Sequence, residues 1–307
     1  MELSVVICAH NPRPNYFYRV LEALRNQTLN MDKWELLVVD NASREPLEAS
    51  WDLSWHPHAR HIREDQLGTA AARQRGIREF KTDLLVFVDD DNVLASDYLS
   101  QALKIKNEWP LLGVWGSGCI QPEFEAELPE HLKEYLPLLV VRDIQKPRWA
   151  NTFPTVGLFW EVTPWGMGQC IRPEVAKAYC RTADRSKIRL TGHQGKIHLG
   201  GEDVEICFVA CGLGLGMGIF PELRITHLIP KERTSEDYFL NVGEFTGTSQ
   251  YLLQYKWQGT MPHNPLSLRG AVSAIRHAFI KRGFRRRMHF ADLRAAIRAR
   301  SIISANP

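Results

Sequence analysis

The chain has 307 residues, of which 44% are hydrophobic and 24% are charged. This composition is typical of a globular protein and excludes a disordered chain, a collagen-like repeat and a small disulfide scaffold. The formal net charge is only +3, but residues 269–307 contain ten Lys or Arg and one acidic residue, net +9, so residues 1–268 carry net −6. A mildly acidic body with a basic C-terminal segment predicts an anionic surface as a partner.

The chain shows no pattern that predicts secretion or membrane spanning. Residues 1–6 lack a basic region and the polar His10 follows closely, which argues against a signal peptide. The longest uncharged stretch, residues 206–220, contains four glycines; it is too short to span a bilayer, and we interpret it as a buried helix followed by a Gly-rich turn. The six cysteines show no CxxC spacing, and Cys207 and Cys211 lie one helical turn apart. We therefore expect core thiols and a reducing, cytoplasmic location.

Short apolar runs alternate with amphipathic stretches over the first hundred residues. The apolar runs predict buried strands, and apolar residues spaced three and four apart predict helices. We expect strands at 4–9, 35–39, 61–64 and 83–88, and helices at 17–27, 68–80 and 96–108. This alternation predicts a mostly parallel, Rossmann-like α/β sheet with helices on both faces, in which ligands bind beyond the carboxyl ends of the strands.

The second part of the chain has a more mixed pattern. We expect strands at 113–120 and 223–227, helices that begin at 174 and 200, a loop or helix at 123–136, and a largely helical segment from 235.

Polar clusters follow three of the predicted strands, at residues 10–11, 40–41 and 89–91. The first turn, residues 9–14, reads AHNPRP, so the glycine-rich loop of dinucleotide-binding proteins is absent, and there is no Walker A sequence. Three adjacent carboxylates repel one another, and a hard divalent cation that also binds a diphosphate would offset that repulsion. The alternative is an acidic loop that caps the next helix.

Six segments occur in a characteristic order along the chain: SVVI at 4–7, VVDNAS at 38–43, GTAAARQRGI at 68–77, FVDDD at 87–91, WGMG at 165–168 and GGEDVE at 200–205. Together they resemble the signatures of the family 2 glycosyltransferases, which have the GT-A fold. The resemblance implies a GT-A domain at 1–234, with a nucleotide-sugar half at 1–112 and an acceptor half at 113–234. A helical, basic extension at 235–307 lies outside the family's common core.

The resemblance assigns the donor side of the site residue by residue. Asp40 would accept a hydrogen bond from the nucleotide base, commonly uracil, and Arg73 would lie along the nucleotide or its diphosphate. Asp89 would face the ribose or sugar and Asp91 would ligate the metal, as the first and last positions of the DxD motif, with Asp90 as the less constrained middle position. Simpler roles stay open, with Asp40 as a turn former and Arg73 as a solvated helix residue.

The resemblance also assigns a base and completes a metal site. Glu202 and Asp203 match the ED motif, in which the Asp is the general base for an acceptor hydroxyl. The alternative is a pair of carboxylates stabilised by the dipole at a helix start. A late histidine, here His227, would join Asp91 on Mn²⁺ or Mg²⁺, and the alternative is an ordinary hydrogen-bonded histidine.

Aromatic and sulfur-containing side chains in the Gly-rich segment are candidates for contact with the acceptor. Trp165, Met167 and Trp160 could pack on the faces of a sugar ring, and Glu202 is a further acceptor-side candidate. Such residues belong to the hydrophobic core equally often.

These assignments predict an inverting, metal-dependent glycosyltransferase. It would move a sugar from a nucleotide sugar, most often UDP-linked, to a hydroxyl of a glycan or lipid-linked acceptor in bacterial polysaccharide or glycoconjugate synthesis. A sugar nucleotidylyltransferase shares the sheet and the metal carboxylate but needs a Gly-rich basic loop after the first strand, which residues 10–12 do not provide. A catalytically silent nucleotide-sugar or membrane-binding protein is the other alternative.

The basic C-terminal segment has an amphipathic pattern. Apolar residues recur three and four positions apart among its arginines: Val272, Ile275, Phe279, Leu293 and Ile297. Such a pattern predicts that residues 269–300 contact an anionic membrane surface, which would place the protein peripherally at the inner face of the membrane. Packing on the acidic body is the alternative, and because no nucleic-acid-binding module accompanies the charge we predict no nucleic-acid partner.

Overall fold

The computed structural model describes residues 1–153, 159–194 and 197–306. Its strands are β1 (Leu3–Ala9), β2 (Trp34–Asn41), β3 (Ala59–Glu64), β4 (Leu85–Asp89), β5 (Asn92–Leu94), β6 (Leu112–Phe124), β7 (Arg142–Asp143), β8 (Arg148–Ala150), β9 (Cys170–Ile171), β10 (Gly192–Gln194), β11 (Ile197–Leu199) and β12 (Gly216–Ile229). Its helices are α1 (Pro14–Arg25), α2 (Leu47–Ser50), α3 (Thr69–Glu79), α4 (Tyr98–Glu108), α5 (Phe159–Val162), α6 (Pro173–Arg185), α7 (Glu202–Gly212), α8 (Glu236–Gln258), α9 (Leu268–Ile280) and α10 (Gly283–Ala305).

One large mixed sheet has the strand order β3-β2-β1-β4-β9-β6-β12-β5. β1 lies between β2 and β4 and pairs parallel with both, and β3 pairs parallel with β2. Beyond β4 the pairing becomes antiparallel, between β9 and both β4 and β6, and between β5 and β12. The parallel arrangement expected from the sequence is therefore confined to the first four strands of the chain.

The strands predicted from continuous apolar runs are buried along their length. In β2 the four residues from Leu36 to Val39 have no solvent exposure, and in β1 the same is true of Val5, Val6 and Ile7. A parallel strand covered on both faces must be apolar at successive positions, which is why these runs were recognisable. The predicted helices at 17–27, 68–80 and 96–108 correspond to α1, α3 and α4.

The segment after α7 differs from its prediction. The stretch 206–220 was expected to be a buried helix followed by a Gly-rich turn, but the turn is limited to 213–215 and residues 216–220 begin β12. A Cβ on Gly216 would lie 3.1 Å from the backbone oxygen of Ala150, and one on Gly218 would lie 3.2 Å from that of Arg148. These glycines allow β8 to approach β12 closely, which is a recognised use of glycine within a strand.

Several short elements were not predicted. β5 and β7 to β11 have two or three residues each, and α5 has four, so none is long enough to show a periodicity. The stretch predicted as a loop or helix at 123–136 contains the end of β6 and then a 3₁₀ helix at Glu130–Leu139.

The chain divides into two compact units. The first consists of Met1–Glu123, Val140–Asp184 and Glu202–Leu228, and the second of Phe124–Leu139, Arg185–Gly201 and Ile229–Pro307. The first unit contains most of the sheet, and the second contains the β10–β11 pair and α8 to α10. The division into 1–234 and 235–307 stays a prediction, and the two compact units do not correspond to a single cut at that point.

Helix α10 packs against α8 within the second unit. Its buried residues are small or apolar: Ala291, Ala295, Ala296, Ala299 and Ile303. Its arginines pair with acidic residues of the same unit: Arg285 with Glu134, Arg287 with Glu236 and Asp237, and Arg294 with Glu244. Across the described ranges, no helix is both long enough and apolar enough to cross a bilayer.

Candidate active site

All three predicted polar clusters meet at one edge of the sheet. Strand pairing places Asp40 of β2 opposite Ala9, and Asp89 of β4 opposite Cys8, so the two carboxylates flank the end of β1. Since neighbouring strands lie about 4.8 Å apart, the two backbones are separated by roughly 10 Å at this edge. A nucleotide is large enough to contact both positions.

Asp40 is held by three hydrogen-bond donors of the protein. Its Oδ1 accepts from the backbone N–H of Ser43 at 3.0 Å, and its Oδ2 accepts from that of Leu47 at 3.1 Å and from Nη1 of Arg63 at 2.7 Å. Burial favours the protonated carboxyl, but these hydrogen bonds outweigh it and lower the pKa of Asp40. The turn-forming role of Asp40 is therefore present, and its contact with a nucleotide base stays a prediction.

The loops after β1 and β2 are tied to each other beside Asp40. The backbone N–H of Asn11 donates to Oγ of Ser43 at 3.0 Å, and that of Arg44 donates to Oδ1 of Asn11 at 2.9 Å. Asn11 and Ala42 both have left-handed backbones, with φ of 47° and 55°. Such conformations are costly for residues other than glycine and concentrate at ligand-binding sites, where surrounding contacts enforce them.

Arg73 is the charged centre of the site. It is 4% exposed; its Nη1 donates to Oε1 of Glu202 at 3.1 Å and its Nη2 to Oδ1 of Asp89 at 3.3 Å. Burial alone would lower the pKa of Arg73, but the charges of Glu202 and Asp89 raise it above its ordinary value. The alternative of a solvated helix arginine is wrong, because Arg73 bridges two sequence-distant motifs.

The carboxylates around Arg73 outnumber its single charge. Burial raises the pKa of Glu202 to about 7; Arg73 opposes this rise and Asp203 adds to it. Burial also raises the pKa of Asp89, with Arg73 opposing and with Asp91 and Asp203 adding. This edge of the sheet therefore carries an excess of negative charge that favours binding of a further cation.

The start of α7 is positioned by the Gly-rich segment before β9. Oδ2 of Asp203 accepts from the backbone N–H of Gly166 at 2.7 Å, and Oδ1 accepts from its neighbour Val204 at 2.9 Å. The side chain of Gln169 donates to the backbone oxygen of Asp203 at 2.9 Å. A Cβ on Gly166 would collide with the guanidinium of Arg73, so a glycine is required where the segment at 165–168 passes between Arg73 and Asp203.

Asp91 and His227 lie close together, and their role as metal ligands stays a prediction. β5 pairs with β12 so that His227 lies opposite Asn92, and Nε2 of His227 is 3.6 Å from Oδ2 of Asp91. Asn92 donates to the other oxygen of Asp91 at 2.8 Å, and Asp90 is half-buried in the turn before β5.

The donor set of Asp91 and His227 suits a divalent cation. Magnesium and manganese are often held by one or two carboxylates or imidazoles while the phosphates of a substrate supply further oxygens. In the part of the chain that the structure describes, no group of three or more Cys, His, Asp or Glu residues forms a complete protein metal site. Asp91 and His227 could therefore supply only part of the ligand set of such a cation.

Trp165 and Met167 are buried, with exposures of 7% and 6%. The guanidinium of Arg142 lies 3.2 Å from the centre of the Trp165 ring, and its Nη1 donates to the backbone oxygen of Thr163 at 3.0 Å. Burial lowers the pKa of Arg142 to about 9. Arg142 therefore covers one face of the Trp165 ring. Contact of Trp165 or Met167 with an acceptor stays a prediction. The side chain of Trp160 lies outside the described residues.

Sequence reasoning did not identify three contributors to this site. Arg63 contacts Asp40 because β2 and β3 pair with these residues in register, and a comparison of the two strands could have suggested it. Gly166 was part of a quoted motif, but its contact with Asp203 depends on the path of the loop. Nothing in the sequence indicated that Arg142 would cover Trp165.

Comparison with protein families and curated proteins supports the resemblance. Residues 4–153, just under half of the chain, match the family model of glycosyl transferase family 2. The chain is 29% identical over 107 residues to EpsH of Bacillus subtilis, named as a glycosyltransferase, covering 33% of this chain and 29% of EpsH. It is 32% identical over 92 residues to the glycosyltransferase AglE of Haloferax volcanii, covering 29% of this chain and 30% of AglE. The matches thus span under a third of these relatives.

Solved structures resemble the chain over nearly its whole length. The mannosyltransferase PcManGT of Pyrobaculum calidifontis, in complex with GDP-Man and Mn²⁺, gives a TM-score of 0.61 at 16% identity, covering 97% of this chain and 86% of its own. Residues 1–349 of TarS from S. aureus, in complex with UDP-GlcNAc, give 0.51 at 13% identity, covering 99% and 91%. These likenesses show the fold alone, and it is the expected GT-A fold with C-terminal helices.

Proposed function

We propose that the chain is a family 2 glycosyltransferase that moves a sugar from a nucleotide sugar to a hydroxyl of an acceptor. One observation carries the proposal: Arg73 joins the carboxylate of Asp89, at the end of a parallel strand, to Glu202, next to Asp203 at the start of α7. Residues that the resemblance assigns to the donor and to the acceptor, more than a hundred positions apart in the chain, thus share one charged cluster. The family match over residues 4–153 supports the same activity.

We assign the donor to the edge formed by β1, β2 and β4. Asp40 would contact the base and Asp89 the ribose or sugar, while Arg73 holds Asp89 in place and Asp90 borders the site. We propose a UDP-linked donor, although the similar structures are complexes of both UDP-GlcNAc and GDP-Man. A base contact at Asp40 requires the nucleotide to share this carboxylate with Ser43, Leu47 and Arg63.

Asp91 and His227 would hold Mn²⁺ or Mg²⁺ at the diphosphate. A cation there offsets the negative charge of the diphosphate as it leaves. Arg73 and the two loops after β1 and β2 keep the surrounding groups in place before the donor binds, so little reorganisation is needed.

Asp203 would act as the general base. An acceptor hydroxyl is a weak nucleophile, and a positioned carboxylate takes its proton while the oxygen bonds to the anomeric carbon. The bond from that carbon to the diphosphate breaks in the same step, so the configuration inverts. The N–H of Gly166 fixes Oδ2 of Asp203, and Glu202, Trp165 and Met167 would border the acceptor.

The nucleotide can be identified by thermal shift with UDP, GDP, dTDP and CMP, each with and without Mn²⁺. A ligand that binds the native state raises the melting temperature, and we expect the largest rise with UDP and Mn²⁺. Asp91→Ala should abolish the part of the rise that depends on Mn²⁺, whereas Asp83→Asn, a change of an exposed carboxylate, should not.

The transfer step is tested with nucleotide-sugar and acceptor panels by following nucleotide release. Asp203→Asn should lower kcat by about 10²- to 10⁴-fold and leave the UDP thermal shift intact. Turnover near that of the wild type in both Asp203→Asn and Asp91→Ala would contradict the mechanism. Nucleotide binding without transfer or hydrolysis across broad panels would favour a catalytically silent binding protein.

We further propose that the protein acts in the cytoplasm, on a glycan or lipid-linked acceptor of bacterial polysaccharide or glycoconjugate synthesis. All six cysteines are free thiols in the structure, which agrees with a reducing compartment.

A further inference from the structure

Helix α9 presents its large apolar side chains to solvent. Leu268, Val272, Ile275 and Phe279 are 84%, 61%, 58% and 83% exposed, and no residue of α9 is buried. Their spacing of four, three and four positions places all four on one side of the helix. We call these four residues the α9 stripe.

A neighbouring side of α9 is made of small residues that are half-buried: Gly270, Ala271, Ala274 and Ala278. The hydroxyl of Ser267 accepts a hydrogen bond from the N–H of Gly270 at 3.1 Å and caps the start of the helix. A surface helix of a globular protein normally turns its large apolar residues toward the core. In α9 this arrangement is reversed, since the small residues face inward and the stripe faces out.

An apolar groove continues the α9 stripe toward α10. It has a volume of about 410 Å³ and is lined mainly by Pro265, Leu266, Ile275, Phe290, Leu293 and Ile297. Leu266, Phe290 and Ile297 are 75%, 42% and 37% exposed. Single exposed apolar residues are common, but a continuous patch of this kind marks a surface that is covered by another apolar body.

The charges around the α9 stripe identify the kind of body that covers it. Residues 245–291 contain eight Lys or Arg and no Asp or Glu, and Arg269 and Arg276 are exposed on α9 itself. Three of the six α10 arginines, Arg285, Arg287 and Arg294, pair with acidic residues, so about half of the α10 charge is neutralised within the unit. An apolar stripe with flanking arginines is complementary to anionic headgroups above acyl chains.

We propose that α9 is a membrane-docking helix that lies in the interface of an anionic bilayer. The α9 stripe enters the region between headgroups and acyl chains, and Arg269 and Arg276 contact the phosphates. A second copy of the chain fits this surface less well, because two basic segments would repel each other. The membrane contact predicted for residues 269–300 is thereby assigned to α9 alone. It does not depend on the proposed sugar transfer.

Vesicle co-sedimentation of the full-length protein tests the proposal. Vesicles of phosphatidylcholine with 30% phosphatidylglycerol are compared with phosphatidylcholine alone, and we expect stronger binding to the anionic vesicles. Val272→Gln/Phe279→Gln should weaken binding at least about tenfold, because each exposed side chain loses its burial in the interface. Arg269→Gln/Arg276→Gln should weaken binding about fivefold for each arginine.

Matched controls separate insertion from general effects. Tyr18→Gln/Leu111→Gln removes two other exposed apolar side chains, which are 59% and 76% exposed, and should leave vesicle binding unchanged. Circular dichroism melts of all variants should match the wild type, since none of the replaced side chains is buried.

Three outcomes would overturn the proposal. One is anionic vesicle binding by Val272→Gln/Phe279→Gln equal to that of the wild type. A second is equal loss in the Tyr18→Gln/Leu111→Gln control. The third is absence of vesicle binding together with a dimer in light scattering that becomes a monomer in Val272→Gln/Phe279→Gln, which would assign the α9 stripe to self-association.

Discussion

Arg73 supplies the positive charge on which the buried carboxylates of the candidate site depend. Its side chain is 5% exposed and that of Glu202 is 6% exposed. Removal of one partner from a buried ion pair is far more destabilising than removal of both, because the remaining charge stays in a poorly solvating environment. Arg73 therefore couples the stability of the first unit to the geometry of the site.

We predict that Arg73→Gln lowers the free energy of unfolding by about 3–5 kcal/mol. Adding Glu202→Gln should recover at least about 1 kcal/mol, since the buried carboxylate that lost its partner is also removed. Urea denaturation of the single and double variants measures both effects. Additive losses in the double variant would contradict the assignment of the two residues as a coupled pair.

The pKa of Glu202 predicts how stability depends on pH. Its ordinary value is 4.5 and its value in the folded protein is about 7, so the folded state retains a proton that the unfolded state releases between these values. The contribution of Glu202 to the free energy of unfolding is fully present below pH 4.5 and is lost as the pH rises toward 7. The melting temperature of Glu202→Gln relative to the wild type should therefore increase between pH 5 and 7.5.

Glu79 provides a control of opposite sign. A hydrogen bond from Arg60 lowers the pKa of Glu79, so its contribution is present above its ordinary pKa and is lost at lower pH. The melting temperature of Glu79→Gln should therefore fall relative to that of the wild type as the pH rises through the acidic range. A flat difference for Glu202→Gln would contradict its raised pKa.

Most of the central residues could be predicted from the sequence, and their contacts could not. Asp40, Asp89 and Asp91 follow apolar strands, and strand order fixes which ends meet. The contact between Gly166 and Asp203 depends on the path of the loop at 165–168, and Arg142 reaches the Trp165 ring from β7, a strand of only two residues. Neither contact produces a periodic pattern or a motif in the sequence, because each is determined by tertiary packing.

At the scale of elements, long apolar runs were predictable because burial on both faces demands them. The two- and three-residue strands were not, since they are defined by their partners rather than by their own sequence. Glycines were the most ambiguous signal. In β12 they allow a neighbouring strand to approach, and in α3 Gly76 allows a helix to approach the sheet.

We predict that Gly76→Ala destabilises the protein although alanine favours a helix by about 1 kcal/mol. The new Cβ would lie 2.5 Å from Cγ1 of Val6 in β1, and overpacking of this kind costs about 1–3 kcal/mol. Val6→Ala/Gly76→Ala should be less destabilised than the sum of the single variants, because the colliding methyl group is gone. Thermal and urea unfolding of the three variants measure the coupling, and a stabilised Gly76→Ala would contradict the close approach.

At the scale of the whole molecule, the uneven charge has two structural explanations. Three of the six α10 arginines lie against acidic residues of the same unit, whereas α9 combines exposed arginines with an exposed apolar stripe. The sequence showed one amphipathic basic pattern across both helices. Only the structure separates them, because a hydrophobic period does not reveal whether its face is turned inward or outward.

The α10 ion pairs should contribute little to stability. The partners of Arg287 and Arg294 are partly exposed, and exposed pairs are worth about 0.2–1 kcal/mol each. These two arginines make three such pairs, so Arg287→Gln/Arg294→Gln should lower the free energy of unfolding by no more than about 3 kcal/mol. A loss above this in urea unfolding would show that these pairs are essential to the α8–α10 packing.

The interleaving of the two units along the chain also sets the order in which they can be completed during synthesis. The first unit has all its residues once position 228 has been made, whereas residues 124–139 belong with 185–201 and with a segment that begins only at Ile229. At a synthesis rate of about 5–20 residues per second, those early residues wait roughly 5–18 s before this last segment begins to be made. The apolar side of the 3₁₀ helix at Glu130–Leu139 is exposed during that interval, so chaperone binding to nascent chains should concentrate there.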